Sequence, residues 1–290
     1  MASAAKEVLQ KQDLAFSARH VPNAVHARNH AGHSVLLLPV GTRWRTLRRI
    51  LNSNIFSSNS LEANEHLRNK KVEKLITYCW KASVSNDYVD IGRREDKSCG
   101  LFPVLKKIDP QGIRRRLSGH FGKLLEMFEE LIDEGLRMGR LKHNVLLDDL
   151  FGAKTTSNTL EWAMVEALRN PDSMTRVKEE LEEVIGKAKI VKENDVLRLP
   201  YLSCIVKETL RLHPLVPLLI PRKVVKEVQL NGYTIPKGTQ VLGNAWAIGR
   251  DPTVWDDSLE FKPQRFLKSG FDFRGNDLLM FKIIYGSFCN

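Results

Sequence analysis

The chain has 290 residues, of which 42% are hydrophobic, so it is long enough to bury a sizeable core. Its apolar runs are far shorter than the roughly 20 residues that span a bilayer, and we therefore predict no transmembrane helix. The net charge of +11 would suit nucleic acid, an anionic membrane surface or an acidic protein, but acidic residues separate the basic clusters and no nucleic-acid motif is present. Four cysteines without Cys-x-x-Cys spacing argue against a zinc site and a disulfide framework.

Residues 1–213 are predicted to be mostly helical. The first 16 residues place charges among apolar side chains, which indicates a short helix and not a secretory signal. Apolar residues three and four positions apart then predict four further helices, near 41–52, 60–82, 117–138 and 144–169.

Two helices with clear boundary signals follow. The first is the segment "RNPDSMTRVKEELEEVIG", in which Asn170 can cap the helix, Pro171 suits its first turn and Gly186 suits its end. The second covers about 199–213 and ends at Pro214, which has no amide hydrogen to continue the helix.

Residues 214–244 are predicted to form a small antiparallel β-sheet. The stretch is rich in β-branched residues, and the Asn231-Gly232 pair suits a type I′ hairpin turn. No repeat or flexible linker divides the chain, so we expect residues 1–290 to form a single domain, mainly α with a small antiparallel sheet, with 245–290 as its last segment.

A charged pair on an apolar helix is the first sign of a specific family. Glu208 and Arg211, in "ETLRLHP", lie on one helix face, and "FKPQRF" adds Arg265 after the sheet. Together with "WRTLRR" (44–49), "VPLLIPRK" and "GYTIPKGTQVLGNAWAIGRDP", these segments resemble the cytochrome P-450 superfamily of heme-thiolate monooxygenases. The likeness covers nearly the whole chain and is strongest to plant geraniol 8-hydroxylases.

The resemblance implies a scaffold role for the charged residues and names further site residues. In the family, the residues matching Glu208, Arg211 and Arg265 form a structural triad beneath the heme. Trp44, Arg48 and Arg222 match residues that bond the heme propionates, as planar guanidinium groups are suited to do. The apolar wall for a small lipophilic substrate would comprise Leu215, Val216, Leu218 and Leu219, although core packing explains these residues equally well.

Two positions depart from the family pattern. The family's helical Ala-Gly-x-Asp-Thr-Thr is replaced by Ala153-Lys154-Thr155-Thr156, so Thr155 matches the oxygen-activation threonine but a lysine replaces the acid. The thiolate ligand belongs to Phe-x-x-Gly-x-Arg-x-Cys-x-Gly, whereas Cys289 lies in "YGSFCN" without the arginine and the following glycine. We therefore assign no metal ligand and expect heme binding to be impaired.

The sequence leaves several functions open. The first is a terpenoid hydroxylase by descent, served by an NADPH-dependent reductase at the endoplasmic reticulum surface, that is inactive as written. This view expects an incomplete fold that lacks the ligand loop, internal stretches and the membrane anchor, which would leave the chain cytosolic. The alternatives are an active enzyme in which Cys289 or another residue holds heme, a basic noncatalytic binding protein, or a gene remnant without function.

Overall fold

The described residues are mainly helical, as the sequence predicts, and they form two small antiparallel sheets where the sequence predicted one. Its structure is a computed structural model that describes residues 2–21, 32, 34–35, 37–55, 57–86, 145–187 and 191–267. The α-helices are α1 (Ala2–Lys6), α2 (Thr42–Ile50), α3 (Ser58–Ala63), α4 (Glu65–Val84), α5 (Val145–Arg169), α6 (Pro171–Val184), α7 (Pro200–Leu212) and α8 (Ala245–Ile248).

Shorter turns of helix extend or connect these elements. The π-helical turns Glu7–Lys11 and Leu51–Ile55 continue α1 and α2, and 3-10 turns lie at Glu193–Arg198 and Pro263–Phe266. The helix predicted near 117–138 lies outside the described residues. Within the part of the chain that the structure describes, no helix is both long and apolar enough to span a membrane.

The cap predicted for α6 is wrong in its detail. Asn170 does occupy the N-cap position, but its side chain makes no capping hydrogen bond. The side-chain nitrogen Nδ2 of Asn170 instead donates to the backbone oxygen of Glu166, at 2.8 Å, because the end of α5 lies one residue away. The other signals hold: Pro171 opens the helix, and Gly186 follows it with a φ of 94° that favours glycine.

The sheet region recruits a strand from outside 214–244. Strand β2 (Arg222–Lys223) pairs on one side with β5 (Gln240–Val241) and on the other with β1 (Ala18–Arg19), in the order β1-β2-β5. The sequence-based segmentation did not foresee β1, since two residues are too few to show a period.

A separate hairpin joins β3 (Val228–Leu230) to β4 (Tyr233–Ile235). Its turn is formed by Asn231 and Gly232, whose φ angles of 50° and 83° both lie in the left-handed region that a type I′ turn requires.

Helix α7 lies at the centre of the described core. Its apolar face packs in two directions: Cys204 and Leu210 contact Trp255 and Phe266, and Tyr201 and Ile205 contact residues of α6. A second apolar cluster joins Phe16 to Val224 and so fixes the N-terminal residues against the sheet. The charged residues of α7 are therefore held between packed layers.

Candidate functional site

The structure brings Glu208, Arg211 and Arg265 together in a buried ionic network. Glu208 is 0% exposed and Arg211 is 1% exposed. Arg211 donates two parallel hydrogen bonds to the Glu208 carboxylate, from Nε to Oε2 at 2.8 Å and from Nη2 to Oε1 at 2.7 Å. Arg265 Nε donates to the same Oε1 at 3.0 Å, as does the backbone amide of Lys262 at 2.8 Å. The carboxylate is thus fully partnered.

The remaining N–H groups of Arg211 and Arg265 donate to backbone carbonyl oxygens of the segment that follows α8. Arg211 Nη1 donates to the oxygens of Gly249 and Ser258, at 2.5 and 2.7 Å, and its Nη2 reaches that of Glu260 at 2.9 Å. Arg265 Nη1 donates to the Asp256 oxygen at 2.7 Å. These carbonyl groups lie outside the described β-strands, so no neighbouring strand donates to them. The two guanidinium groups supply the donors and thereby hold residues 249–260 in place.

Gly249 permits the close approach on which this network depends. A Cβ atom added at this position would lie 2.3 Å from the carbonyl oxygen of Arg211, which is backbone and cannot swing away. The absence of a side chain at 249 therefore allows the segment after α8 to contact the end of α7 directly.

Trp44 and Arg48 lie one turn apart on α2. The indole Nε1 of Trp44 donates to the backbone oxygen of Val35 at 3.0 Å. The Arg48 side chain is buried, with 6% of the residue exposed, and its guanidinium carbon lies 5.8 Å from the centroid of the Trp44 ring. The helix thus holds both side chains on one face, with Trp44 bonded to Val35.

Arg222 faces a second arginine that the sequence analysis missed. In the β1-β2 pair, Arg19 lies directly opposite Arg222, so both side chains project from the same face of the sheet. Arg222 Nη1 donates to the backbone oxygen of Phe16 at 3.3 Å. Arg19 Nη1 is buried and has no hydrogen-bond partner among the described residues.

The electrostatics of this arginine pair are unfavourable as they stand. Burial and the nearby charge of Arg222 lower the pKa of Arg19 to about 10. Burial also lowers the pKa of Arg222, although the charge of Asp13 opposes that shift. Two cations opposite one another in a strand pair repel, and an unpaired buried donor adds a desolvation cost. A carboxylate or another anion between the two guanidinium groups would remove both penalties.

The four residues assigned to the apolar wall divide into two pairs. Leu215 packs against the cluster of Cys204, Leu210, Trp255 and Phe266. Leu219 is buried against Ala245 and Ile248, with a φ of 53°. Val216 and Leu218 are instead 37% and 49% exposed. Leu219 therefore belongs to the core and the partly buried Leu215 packs against it, whereas Val216 and Leu218 are the two that present apolar surface.

The residues tied to oxygen and iron chemistry are described only in part. Thr155 lies within α5, but its side chain is outside the described residues, and so is Cys289. Cys204 is described and does not suit an iron ligand. It is buried in the core, and burial raises the pKa of its thiol, which disfavours the thiolate that metals bind.

A cleft of about 780 Å³ lies beside the ionic network, between the end of α5, the start of α6 and residues 259–264. On its wall, His213 Nε2 and Glu166 Oε1 are 2.8 Å apart, and the imidazole stacks on Trp162 at a centroid distance of 3.9 Å. Burial is the main cause that lowers the pKa of His213, against the opposing effect of Glu166. The neutral imidazole thus joins the end of α7 to α5 through a hydrogen bond.

Comparison with known proteins places this geometry in a family context. The sequence profile of the family described as Cytochrome P450 matches residues 1–94 and 106–277. The match is interrupted at residues 95–105, where the segment "EDKSCGLFPVL" stands.

Characterised plant proteins are similar along almost the whole chain. The 7-ethoxycoumarin O-deethylase of Helianthus tuberosus is 54% identical over 342 aligned positions, which cover 95% of this chain and 70% of that protein. The geraniol 8-hydroxylase of Catharanthus roseus is 48% identical, with coverage of 94% and 69%. An alignment of 342 positions exceeds the 290 residues of the chain, so the relative has internal residues without a counterpart here.

Solved structures show the same fold at low sequence identity. A zebra fish cytochrome P450 determined with progesterone superposes with a TM-score of 0.70 at 21% identity, covering 93% of this chain and 78% of that one. A second zebra fish structure, with abiraterone, gives a TM-score of 0.67 at 23% identity.

Proposed function

Because the chain belongs to the cytochrome P450 family, we propose that Arg19 on β1 and Arg222 on β2 form the part of its heme-binding site (the heme seat) that binds a carboxylate. The observation that carries this proposal is the buried, unpartnered Nη1 of Arg19 opposite Arg222. A heme propionate is a carboxylate, and a planar guanidinium is the side chain best suited to bind one in a buried place. The donor set therefore fits the group that the family uses.

Other residues would complete the seat. Trp44 and Arg48 on α2 are proposed to bind propionate oxygen, and the indole N–H of Trp44 would then exchange its bond to the Val35 oxygen for one to the propionate. Glu208, Arg211 and Arg265 would take no part in the reaction. Their role would be to hold the segment 249–267 in place, because both oxygens of the Glu208 carboxylate and most N–H donors of Arg211 already have hydrogen-bond partners within the protein.

The proposed substrate is a small lipophilic, terpenoid-like molecule. Relatives at 48% and 47% identity are geraniol 8-hydroxylases, and one at 42% is a geranylhydroquinone 3''-hydroxylase. Val216 and Leu218 offer exposed apolar surface on the loop between α7 and β2, and we propose these two as substrate contacts. Apolar contacts of this kind orient a hydrocarbon without fixing which carbon reacts.

We propose that residues 278–290 supply no thiolate ligand for heme, so that these 290 residues by themselves do not carry out the monooxygenase reaction. Heme with a thiolate ligand supplies the oxygen activation of the family. Residues 278–290 contain Cys289 without the arginine and the following glycine of the ligand loop, and the family profile matches no further than residue 277. Lys154 also replaces the acid before Thr155, and an ammonium group cannot accept a proton as a carboxylate does.

The partner and the location follow from the same family. We propose an NADPH-dependent reductase as electron donor and the surface of the endoplasmic reticulum membrane as the site of encounter. Helix α2 carries no acid, and three of its four arginines, Arg43, Arg45 and Arg49, are exposed and would suit an acidic partner surface.

Absorbance titration with hemin, followed by a carbon monoxide difference spectrum of the reduced protein, tests both parts of the proposal. We expect saturable hemin binding that falls about tenfold or more in Arg222→Leu, from the loss of one charge-assisted pair, and we expect no thiolate-type Soret band. The matched control is Arg198→Leu, an exposed arginine on the 3-10 turn before α7.

The two results are independent. Equal hemin affinity in wild type and Arg222→Leu would overturn the proposed seat. A thiolate-type band in wild type that disappears in Cys289→Ser would overturn the proposed absence of a thiolate ligand and would identify Cys289 as the ligand.

A further inference from the structure

The N-terminus of α7 lacks a cap of its own. Its N-cap residue is Leu199, whose side chain has no oxygen, and Pro200 at the first position has no amide hydrogen. The first amide bonded within the helix is that of Ser203, which donates to the Leu199 oxygen at 3.1 Å. The amides of Tyr201 and Leu202 therefore need an acceptor from elsewhere, as the first donors of any helix do.

Glu180 on α6 supplies that acceptor with both carboxylate oxygens. Its Oε1 accepts from the amide of Tyr201 at 2.6 Å, and its Oε2 accepts from the amide of Leu202 at 2.9 Å. A negative charge at this position also interacts favourably with the positive end of the helix dipole. The arrangement does for α7, across 21 residues of sequence, what a serine or aspartate at the N-cap does locally.

Other contacts between α6 and the start of α7 act across the helix axis. The hydroxyl of Tyr201 donates to the Ser173 hydroxyl at 3.3 Å, and the Arg176 guanidinium lies 4.6 Å from the centroid of the Tyr201 ring. These contacts set the rotation of α7 against α6. The Glu180 carboxylate acts along the helix axis, because both of its acceptor bonds point at the helix end.

The position of the helix end matters for the ionic network. Glu208 and Arg211 lie two to three turns beyond Tyr201 on the same 13-residue helix, with no break between them. An unbroken helix of this length moves as a rigid rod, so a shift at its first turn is carried to the network.

We propose that Glu180 is a positioning residue that sets the axial position of α7 and, through it, the register of Glu208 and Arg211 against residues 249–262. This role concerns the fold of α7 and is independent of heme binding. Three neighbouring glutamates on α6, Glu179, Glu182 and Glu183, are exposed. Of the four glutamates of α6, Glu180 is the one whose carboxylate accepts from the first amides of α7 in the described hydrogen bonds.

Amide proton chemical shifts test the contact directly. In Glu180→Gln, the Tyr201 and Leu202 amide resonances should both move from their wild-type positions, because both amides donate to oxygens of residue 180. In the control Glu179→Gln, both should stay where they are in wild type. Wild-type positions for either amide in Glu180→Gln would overturn the proposal.

Hydrogen exchange then tests the effect on the network. In Glu180→Ala, we expect the protection of the Tyr201, Leu202 and Lys262 amides to fall about fivefold to tenfold, the usual size of a lost cap. Lys262 reports on the network because its amide donates to Glu208. The hairpin amides of β3 and β4 should keep their protection, which distinguishes a local effect from general destabilisation.

The conservative variant separates positioning from simple loss of packing. Glu180→Gln keeps one acceptor oxygen and nearly the same volume, so it should fall between wild type and Glu180→Ala at all three amides. If Lys262 exchanges as in wild type in both variants, α7 is positioned by its other contacts and the proposal fails. A uniform loss of protection that includes the hairpin would likewise contradict it.

Discussion

Two sets of buried or half-buried arginines in the described residues differ in how their N–H donors are paired. Arg211 and Arg265 have partners for their donors, from the Glu208 carboxylate and from backbone carbonyls. Arg19 and Arg222 lie opposite each other without an acid between them, and one nitrogen of Arg19 has no partner in the described residues. A buried charge whose partners all come from the protein supports the fold, and we propose that the unpartnered donor of Arg19 instead binds a ligand.

The largest effect is expected from breaking the satisfied set. Glu208→Ala should lower the free energy of unfolding by about 3–5 kcal/mol, because it leaves the Arg211 guanidinium buried without its counterion. Urea denaturation followed by circular dichroism measures the loss. Glu182→Ala, at an exposed ion pair with Lys187, serves as control and should change little. Comparable losses in both variants would remove the distinction between this network and a surface pair.

A smaller loss is expected from crowding the same network without removing a charge. Gly249→Ala should destabilise by about 1–3 kcal/mol, since its Cβ would collide with the Arg211 carbonyl oxygen and force the two segments apart. Thermal unfolding is a suitable measurement. Gly41→Ala is the matched control, because its added Cβ would meet no atom closer than 3.9 Å. If both variants unfold at the wild-type temperature, the segment after α8 does not depend on close approach to α7.

A substitution in the other set, Arg19 and Arg222, should raise the free energy of unfolding of the heme-free protein instead of lowering it. Arg19→Leu should raise the stability of the heme-free protein by about 1 kcal/mol, because it removes a like-charge contact and an unpaired buried donor. The same change should weaken hemin binding. Thermal unfolding with and without hemin measures both effects. A destabilised heme-free Arg19→Leu protein would show that Arg19 is already satisfied and would contradict the comparison.

The smallest effect concerns the link between α5 and α7. The folded pKa of His213 lies below its ordinary value of 6.5, so the unfolded chain takes up the proton more readily. The contribution of His213 to stability is therefore complete above pH 6.5 and is lost as the pH falls toward its folded pKa. Unfolding curves recorded across this window should show a shallower decline in His213→Asn than in wild type. The exposed His66 is the control, and His66→Asn should leave the decline unchanged.

The sequence predicted most of the described helices because their signals are local, although the single helix predicted near 60–82 is divided into α3 and α4 at Asn64. Pro171 and Pro214 mark boundaries through the missing amide hydrogen, and the apolar spacing of α4 and α7 needs no knowledge of their neighbours. The same reasoning missed β1, whose two residues become a strand through pairing with β2. It also misassigned the side chain of Asn170, because the carbonyl of Glu166 was a nearer partner than the predicted one.

The residues of the candidate site also divide into those that the sequence predicted and those that only the structure identified. Spacing alone placed Glu208 and Arg211 on one face of a helix, and resemblance to a family added Arg265. No pattern in the sequence indicated Arg19, since an isolated arginine in "FSAR" is read as a surface residue until its strand partner is known. The four apolar wall residues were equivalent in sequence, and burial divided them into two residues packed in or against the core and two exposed ones.

The sequence by itself determined which segments are helical, which residues begin and end them, and the family to which the motifs point, because these features depend on neighbours within a few residues. Tertiary structure decided which charges are satisfied. Whether the donors of an arginine are paired depends on what distant segments place beside it: residues 249–260 present carbonyl acceptors to Arg211, whereas strand β2 presents a second cation, Arg222, to Arg19. Those distances are set by packing, and no local pattern encodes them.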